Sequence, residues 1–124
     1  MIVGIGFDLC SISRIKRALD FPGFVERVFS KEEIKYCESK KLNKYESYAS
    51  SFAAREAFAK ASGINLFKLF GEKFCVKRVD GKPEIIISSE ILCEIKIKIK
   101  FKKIHVSLTH DGDFTGAFII LEEW

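Results

Sequence analysis

No apolar run in this chain is long enough to cross a bilayer. The opening residues carry no basic segment, and Gly4, Gly6 and Asp8 interrupt the first apolar stretch. The sequence therefore reads as having no signal peptide, no membrane partner and a cytoplasmic location. The four cysteines, Cys10, Cys37, Cys75 and Cys93, have neither metal-ligand nor redox-motif spacing, which leaves reduced thiols serving as small apolar residues. Gly4-x-Gly6 is followed by Leu9 where the third glycine of a dinucleotide fingerprint belongs, and that excludes the motif. Lys96, Lys98, Lys100, Lys102 and Lys103 lack interleaved stacking aromatics, so they read as a solvated face and not as a nucleic-acid groove. Repeats, low-complexity tracts and linkers are absent as well.

What is present suits one domain spanning residues 1–124. A chain of this size buries roughly two-thirds of its unfolded surface, enough for one core. A hydrophobic content of 48% beside 31% charged residues is that of an ordinary soluble globular protein. The net charge of +4 favours an anionic partner. On charge alone, nucleic acid, an acidic protein and a phosphorylated cofactor all qualify.

The pattern along the chain is α+β. Residues 2–12 read as a buried strand whose glycines allow close backbone approach. Arg14 to Leu19 suits a short helix ended near Pro22-Gly23, and Phe24 to Phe29 another helical turn. Ser30-Lys31-Glu32-Glu33 is a capping box that starts a helix carrying Ile34 and Cys37 inward. Asn43-Lys44-Tyr45-Glu46 has the same form and opens a longer helix to Ser62, stopped by Gly63. Phe74–Val79 and Glu84–Ile87 read as strands joined at Asp80-Gly81. Ser88-Ser89-Glu90 caps a helix using Ile91, Leu92 and Ile95, while 95–101 alternates with strand period, so 95–103 stays open between helix and strand. His105–Thr109 and Phe114–Glu122 form two strands around the turn His110-Asp111-Gly112-Asp113.

Two carboxylates stand out. Asp8 ends the first apolar strand, where an ionised group is costly unless paired or metal-bound. The plainer reading of it is a loop-start cap. Glu56 and Lys60 lie four apart on one face of the alanine-rich helix, and the plainer reading is a surface pair worth a few tenths of a kcal/mol. Against that, Ala53, Ala54, Ala57, Ala59 and Ala61 let neighbours pack close, and Gly63 continues the face where a bulky ligand can approach the backbone. Asp8 plus Glu56 fits magnesium, which takes one or two carboxylates plus phosphate oxygens and waters, with Lys60 neutralising phosphate charge. Strand alternation puts His105, Ser107 and Thr109 on one face. Lys16 reads as solvated, and Arg14 is placed to dock an acidic partner.

Taken in order, these segments resemble the holo-acyl-carrier-protein synthase family, the small phosphopantetheinyl transferases. The matching motifs are Gly4-Ile5-Gly6-Phe7-Asp8, Arg14-Ile15, Arg27-Val28-Phe29-Ser30 with Glu33, and Phe52 through Ala61. Gly81-Lys82-Pro83 and His105-Val106-Ser107-Leu108-Thr109-His110 complete the set. The resemblance implies an antiparallel sheet packed against a long helix plus short helices. It implies transfer of 4′-phosphopantetheine from coenzyme A to a serine of acidic apo-acyl carrier protein, releasing adenosine 3′,5′-bisphosphate, in support of fatty acid biosynthesis. It further implies that Asp8 and Glu56 bind Mg2+ and that Lys60, with the other two, carries the catalysis and contacts the phosphates. Gly63, Gly81, Lys82, Pro83, His105, Ser107, Thr109 and His110 would hold the coenzyme A nucleotide. Arg14 and Arg27 would meet the carrier protein, in a homotrimer with sites between subunits. Glu56 and a metal-ordered water are both candidates for the general base.

This chain departs from the family pattern at three places. Ser51 stands for a common arginine, Ser11 for a glutamate, and Gly63-Ile64-Asn65 for a glycine-threonine-glycine. The competing reading is a non-catalytic basic module docking an acidic protein, which would have no need of Asp8 and Glu56.

Overall fold

The computed structural model describes residues 1–96 and 100–123. Strand β1 (Ile2–Ser11) is followed by three short helices, α1 (Ile12–Ala18), α2 (Phe24–Val28) and α3 (Lys31–Ser39), and by the long helix α4 (Lys44–Ser62). Then come β2 (Phe74–Val79), β3 (Lys82–Ile87), α5 (Ser89–Lys96), β4 (Lys103–Asp111) and β5 (Phe114–Glu122). β1, β5 and β4 make an antiparallel sheet in that order, and β2 and β3 form a separate hairpin. The α+β architecture is the one expected, an antiparallel sheet against a long helix.

Gly4 and Gly6 decide how the helix meets the sheet. A Cβ at Gly6 would lie 1.7 Å from the Ala57 carbonyl oxygen, and one at Gly4 2.2 Å from that of Ala61. No side chain fits there, so α4 rests directly on β1. Ala53, Ala57 and Ala61 of α4 are buried in one core with Ala117, Ile119 and Leu121 of β5. Since strand side chains alternate, Asp8 follows Gly4 and Gly6 onto this helix-facing side.

A second core holds Ile15, Val28, Phe29, Cys37, Tyr48 and Ala49. It is tied to the first by Arg55, fully buried, whose guanidinium pairs with Glu33 and donates to the carbonyls of Leu69 (3.2 Å) and Phe74 (2.8 Å). Glu33 also completes the capping box: it accepts from Ser30 N at 2.8 Å while Ser30 Oγ accepts from Glu33 N at 3.2 Å.

Three expectations change. The cap at Asn43 does not form: its side chain makes no capping bond, because Lys41–Asn43 is a 3-10 turn that feeds α4 directly. β1 is not buried on both sides: Ile5, Phe7 and Leu9 are 57%, 52% and 61% exposed on the side away from α4. The β4–β5 turn is tighter than expected, with β4 running through His110 and Asp111. Of the ambiguous stretch, Ile95 and Lys96 belong to α5 and Lys103 to β4. Its alternation over 97–99, with Lys98, lies outside the described residues.

Candidate functional site

Asp8 reaches the helix side of the sheet beside the last turns of α4. Lys60 Nζ donates to Asp8 Oδ1 at 3.0 Å and to the Phe7 carbonyl at 3.1 Å. Asp8 Oδ2 is buried and has no hydrogen-bond partner. Glu56 lies one turn before Lys60, and with Asp8, Arg14 and Phe52 it lines a cleft of ≈ 250 Å³ between β1, α1 and α4. Burial and the neighbouring Asp8 carboxylate push the Glu56 carboxyl up to about 7, against the opposing pull of Lys60 and Arg14. The Cys10 thiol on the same wall is pushed up to about 12, first by burial and then by the charges of Asp8 and Glu56. It is therefore a poor nucleophile.

This donor set fits a hard divalent cation. Asp8 has one oxygen on Lys60 and a bare buried oxygen, a costly arrangement that a cation relieves. Two carboxylates also match magnesium, which keeps several positions for water and phosphate.

Arg14 is set at the mouth of the cleft by the start of α1. Ser11 Oγ accepts from Arg14 N at 3.3 Å, and Asp113, from the β4–β5 turn, accepts from Ser11 Oγ (2.8 Å), Ser13 Oγ (2.8 Å) and Ser13 N (3.0 Å). Hydrogen bonds from Ser13 and Ser11 hold the Asp113 carboxyl below its ordinary value. Sequence reasoning missed Asp113, because nothing local to a hairpin turn shows that it caps a helix 100 residues away.

The other expected residues lie elsewhere. Arg27 is exposed on α2. Gly63 is the left-handed cap of α4 (φ 76°) and borders a pocket of ≈ 210 Å³ with Asn65 and Lys68. Gly81 and Lys82 sit at the β2–β3 turn, and Pro83 shares the edge of a ≈ 500 Å³ cleft with His105. His105 Nε2 lies 2.9 Å from Glu122 Oε1, and His110 Nε2 lies 3.4 Å from Glu46 Oε1. The register Asp8–Ala117–Leu108 puts Asp8 and Leu108 on one face of the sheet. His105, Ser107 and Thr109 alternate onto the other, as expected of one another, yet facing away from Asp8. Within one chain the carboxylates and these β4 groups are thus turned to opposite sides of the sheet. The outer side also carries Ile5, Phe7, Leu9 and Phe118, with the Phe7 and Phe118 ring centroids 6.1 Å apart.

The family model described as the 4′-phosphopantetheinyl transferase superfamily matches residues 4–119. A holo-[acyl-carrier-protein] synthase of Cytophaga hutchinsonii is 40% identical, covering 99% of each chain. One of Ruminiclostridium cellulolyticum is 39% identical, covering 94% of this chain and 90% of its own. The crystal structure of a holo-(acyl-carrier-protein) synthase from Bacillus anthracis in complex with CoA (3′,5′-ADP) superposes with a TM-score of 0.79 at 33% identity, covering 100% of this chain and 99% of its own.

Proposed function

The chain belongs to the 4′-phosphopantetheinyl transferase superfamily, and from that membership we propose that it is a holo-[acyl-carrier-protein] synthase. It transfers 4′-phosphopantetheine from coenzyme A to a serine of apo-acyl carrier protein and releases adenosine 3′,5′-bisphosphate. We further read it as a magnesium-dependent, cytoplasmic, single-domain enzyme of fatty acid biosynthesis, acting as a homotrimer. Among the described residues, no helix is long and apolar enough to cross a membrane.

The observation that carries the site is Asp8: a buried carboxylate with one oxygen on Lys60 and the other unpartnered. Asp8 and Glu56 would hold magnesium, which when bound stabilises charge on the diphosphate oxygens. Lys60 is more than half exposed at the cleft and can turn its ammonium from Asp8 to a phosphate. The serine hydroxyl attacks the phosphorus next to the pantetheine arm, and the bond to the nucleotide's phosphate oxygen breaks. The serine proton passes to the Glu56 carboxylate or to a water ordered at the site. Arg14, fixed by the Asp113 clasp, and Arg27 meet acidic residues of the carrier. The coenzyme A nucleotide is held by the Gly81-Lys82-Pro83 turn, by Gly63 and by His105, Ser107, Thr109 and His110. The facing of His105, Ser107 and Thr109 away from Asp8 is what supports a site shared between subunits, and the exposed apolar outer face supports the trimer.

The test is mass spectrometry of an apo-acyl carrier protein incubated with this protein, coenzyme A and magnesium. A phosphopantetheine mass gain that disappears with chelator is expected. Intact carrier binding with no mass gain would overturn the transferase reading in favour of a docking module.

A further inference from the structure

A single residue fastens the β4–β5 turn to the start of α1. Asp113 directly precedes β5, beside the end of β1, where Ser11 pairs with Phe114. Its backbone carbonyl accepts from Ile12 N at 2.7 Å. Its carboxylate takes Ser13 N on Oδ1 and the Ser11 and Ser13 hydroxyls on Oδ2. Ser11 Oγ carries one proton. Giving that proton to Asp113 leaves the lone pairs of Ser11 for Arg14 N. The carboxylate thus reaches the first turn of α1 through a hydroxyl, and negative charge is favoured at that end of a helix. Ser11 stands where the family pattern has a glutamate, so in this chain the acid at the head of α1 comes from the hairpin turn.

By charge alone that acid is badly placed. α1 carries Arg14, Lys16 and Arg17, and the Arg17 charge favours the ionised form of Asp113. Asp113 is exposed. On a surface that attracts an acidic protein, an exposed carboxylate weakens the attraction. Yet both of its oxygens are engaged within the protein, so its geometry and its charge pull docking in opposite directions. We propose that Asp113 is a positioning residue for the acceptor: it fixes the head of α1 so that Arg14 meets the acidic carrier protein at the mouth of the Asp8 cleft. This rests on the reading of Arg14 as a carrier contact. A residue that acted by charge would, once removed, leave docking stronger. A positioning residue leaves it weaker.

Initial rates are measured for the wild type, Asp113→Ala, Asp113→Asn, Arg14→Ala and the double variant Asp113→Ala/Arg14→Ala. Apo-acyl carrier protein and coenzyme A are varied separately. Asp113→Ala should raise KM for the carrier roughly 3- to 10-fold, the size of a lost helix cap written as an equilibrium constant. KM for coenzyme A and kcat should not move. Asp113→Asn keeps an acceptor for Ser13 N without the charge. It should raise the carrier KM less, and it covers the case in which the alanine variant does not fold. The double variant should match Arg14→Ala alone, since a residue acting through Arg14 then has nothing left to position. Suppose Arg14→Ala raises the carrier KM while Asp113→Ala leaves it level, lowers it, or moves KM for both substrates together. The positioning role is then overturned and the reading of Arg14 stands; an additive double variant has the same force. A carrier KM that Arg14→Ala leaves unchanged overturns the reading of Arg14 and the proposal with it. If the wild type transfers nothing, the transferase reading fails, and the same variants are compared by their Kd for the apo-carrier, where a wild type that does not bind overturns both.

Discussion

Glu56 titrates against Asp8, and this ties both cation binding and stability to pH. Its folded pKa is raised from the ordinary 4.5 to about 7, so the metal-free folded protein holds a proton that the unfolded chain has already lost. Stability from this group is present below 4.5 and is lost as pH rises toward 7 and beyond. Denaturant melts of metal-free protein should show that loss, and Glu56→Gln should flatten it. Magnesium held by Asp8 and Glu56 as proposed would have to displace the same proton, so its affinity should fall as pH drops below 7, with proton release visible in calorimetry across buffers. Arg55 lies next to Glu56 in sequence but serves the fold. Replacing it with methionine strands Glu33 in the core and should cost about 3–5 kcal/mol in a denaturant melt. The two neighbours were equally visible in the motif. Only their burial separates them, and residue type does not show which face of a helix a charge takes.

At the scale of elements, the meeting of α4 with β1 is the joint that sets the site. Gly6→Ala would drive a methyl into the Ala57 carbonyl and lift the helix that carries Glu56 and Lys60 away from Asp8. Overpacking of this kind costs about 1–3 kcal/mol. Thermal melts should show that loss together with a fall in kcat out of proportion to it. That each side allows a close approach was legible in the sequence, because both consist of small residues; that they meet each other was not. The Ser30–Glu33 box was legible for the same local reason: all its partners fall within four positions. Asn43 has the same letters without the geometry, since the 3-10 turn before it leaves no extended residue to act as a cap. Asp113 acts across the fold, and no periodicity points to it.

For the whole molecule, the outer side of the sheet is the feature that the β1 pattern disguised. An apolar strand reads as buried whichever chain buries it, and in one chain Ile5, Phe7 and Leu9 remain open. Phe7→Glu should dissociate the proposed trimer in sedimentation velocity and abolish transfer while the monomer stays folded. If each site draws Asp8 from one subunit and His105 from another, Asp8→Ala and His105→Ala proteins, each inactive, should regain activity when unfolded together and refolded as a mixture. Recovery equal to the sum of the two alone would confine the site to one chain. An assembly held by such a face has a further effect on output. If the proposed trimer forms through it, velocity would climb more steeply than in proportion to the amount of enzyme, and dilution would act as an off-switch with no effector. Chains made below the association threshold would then fold yet leave the carrier unmodified. Above that threshold, each added chain also brings into service chains that were already waiting.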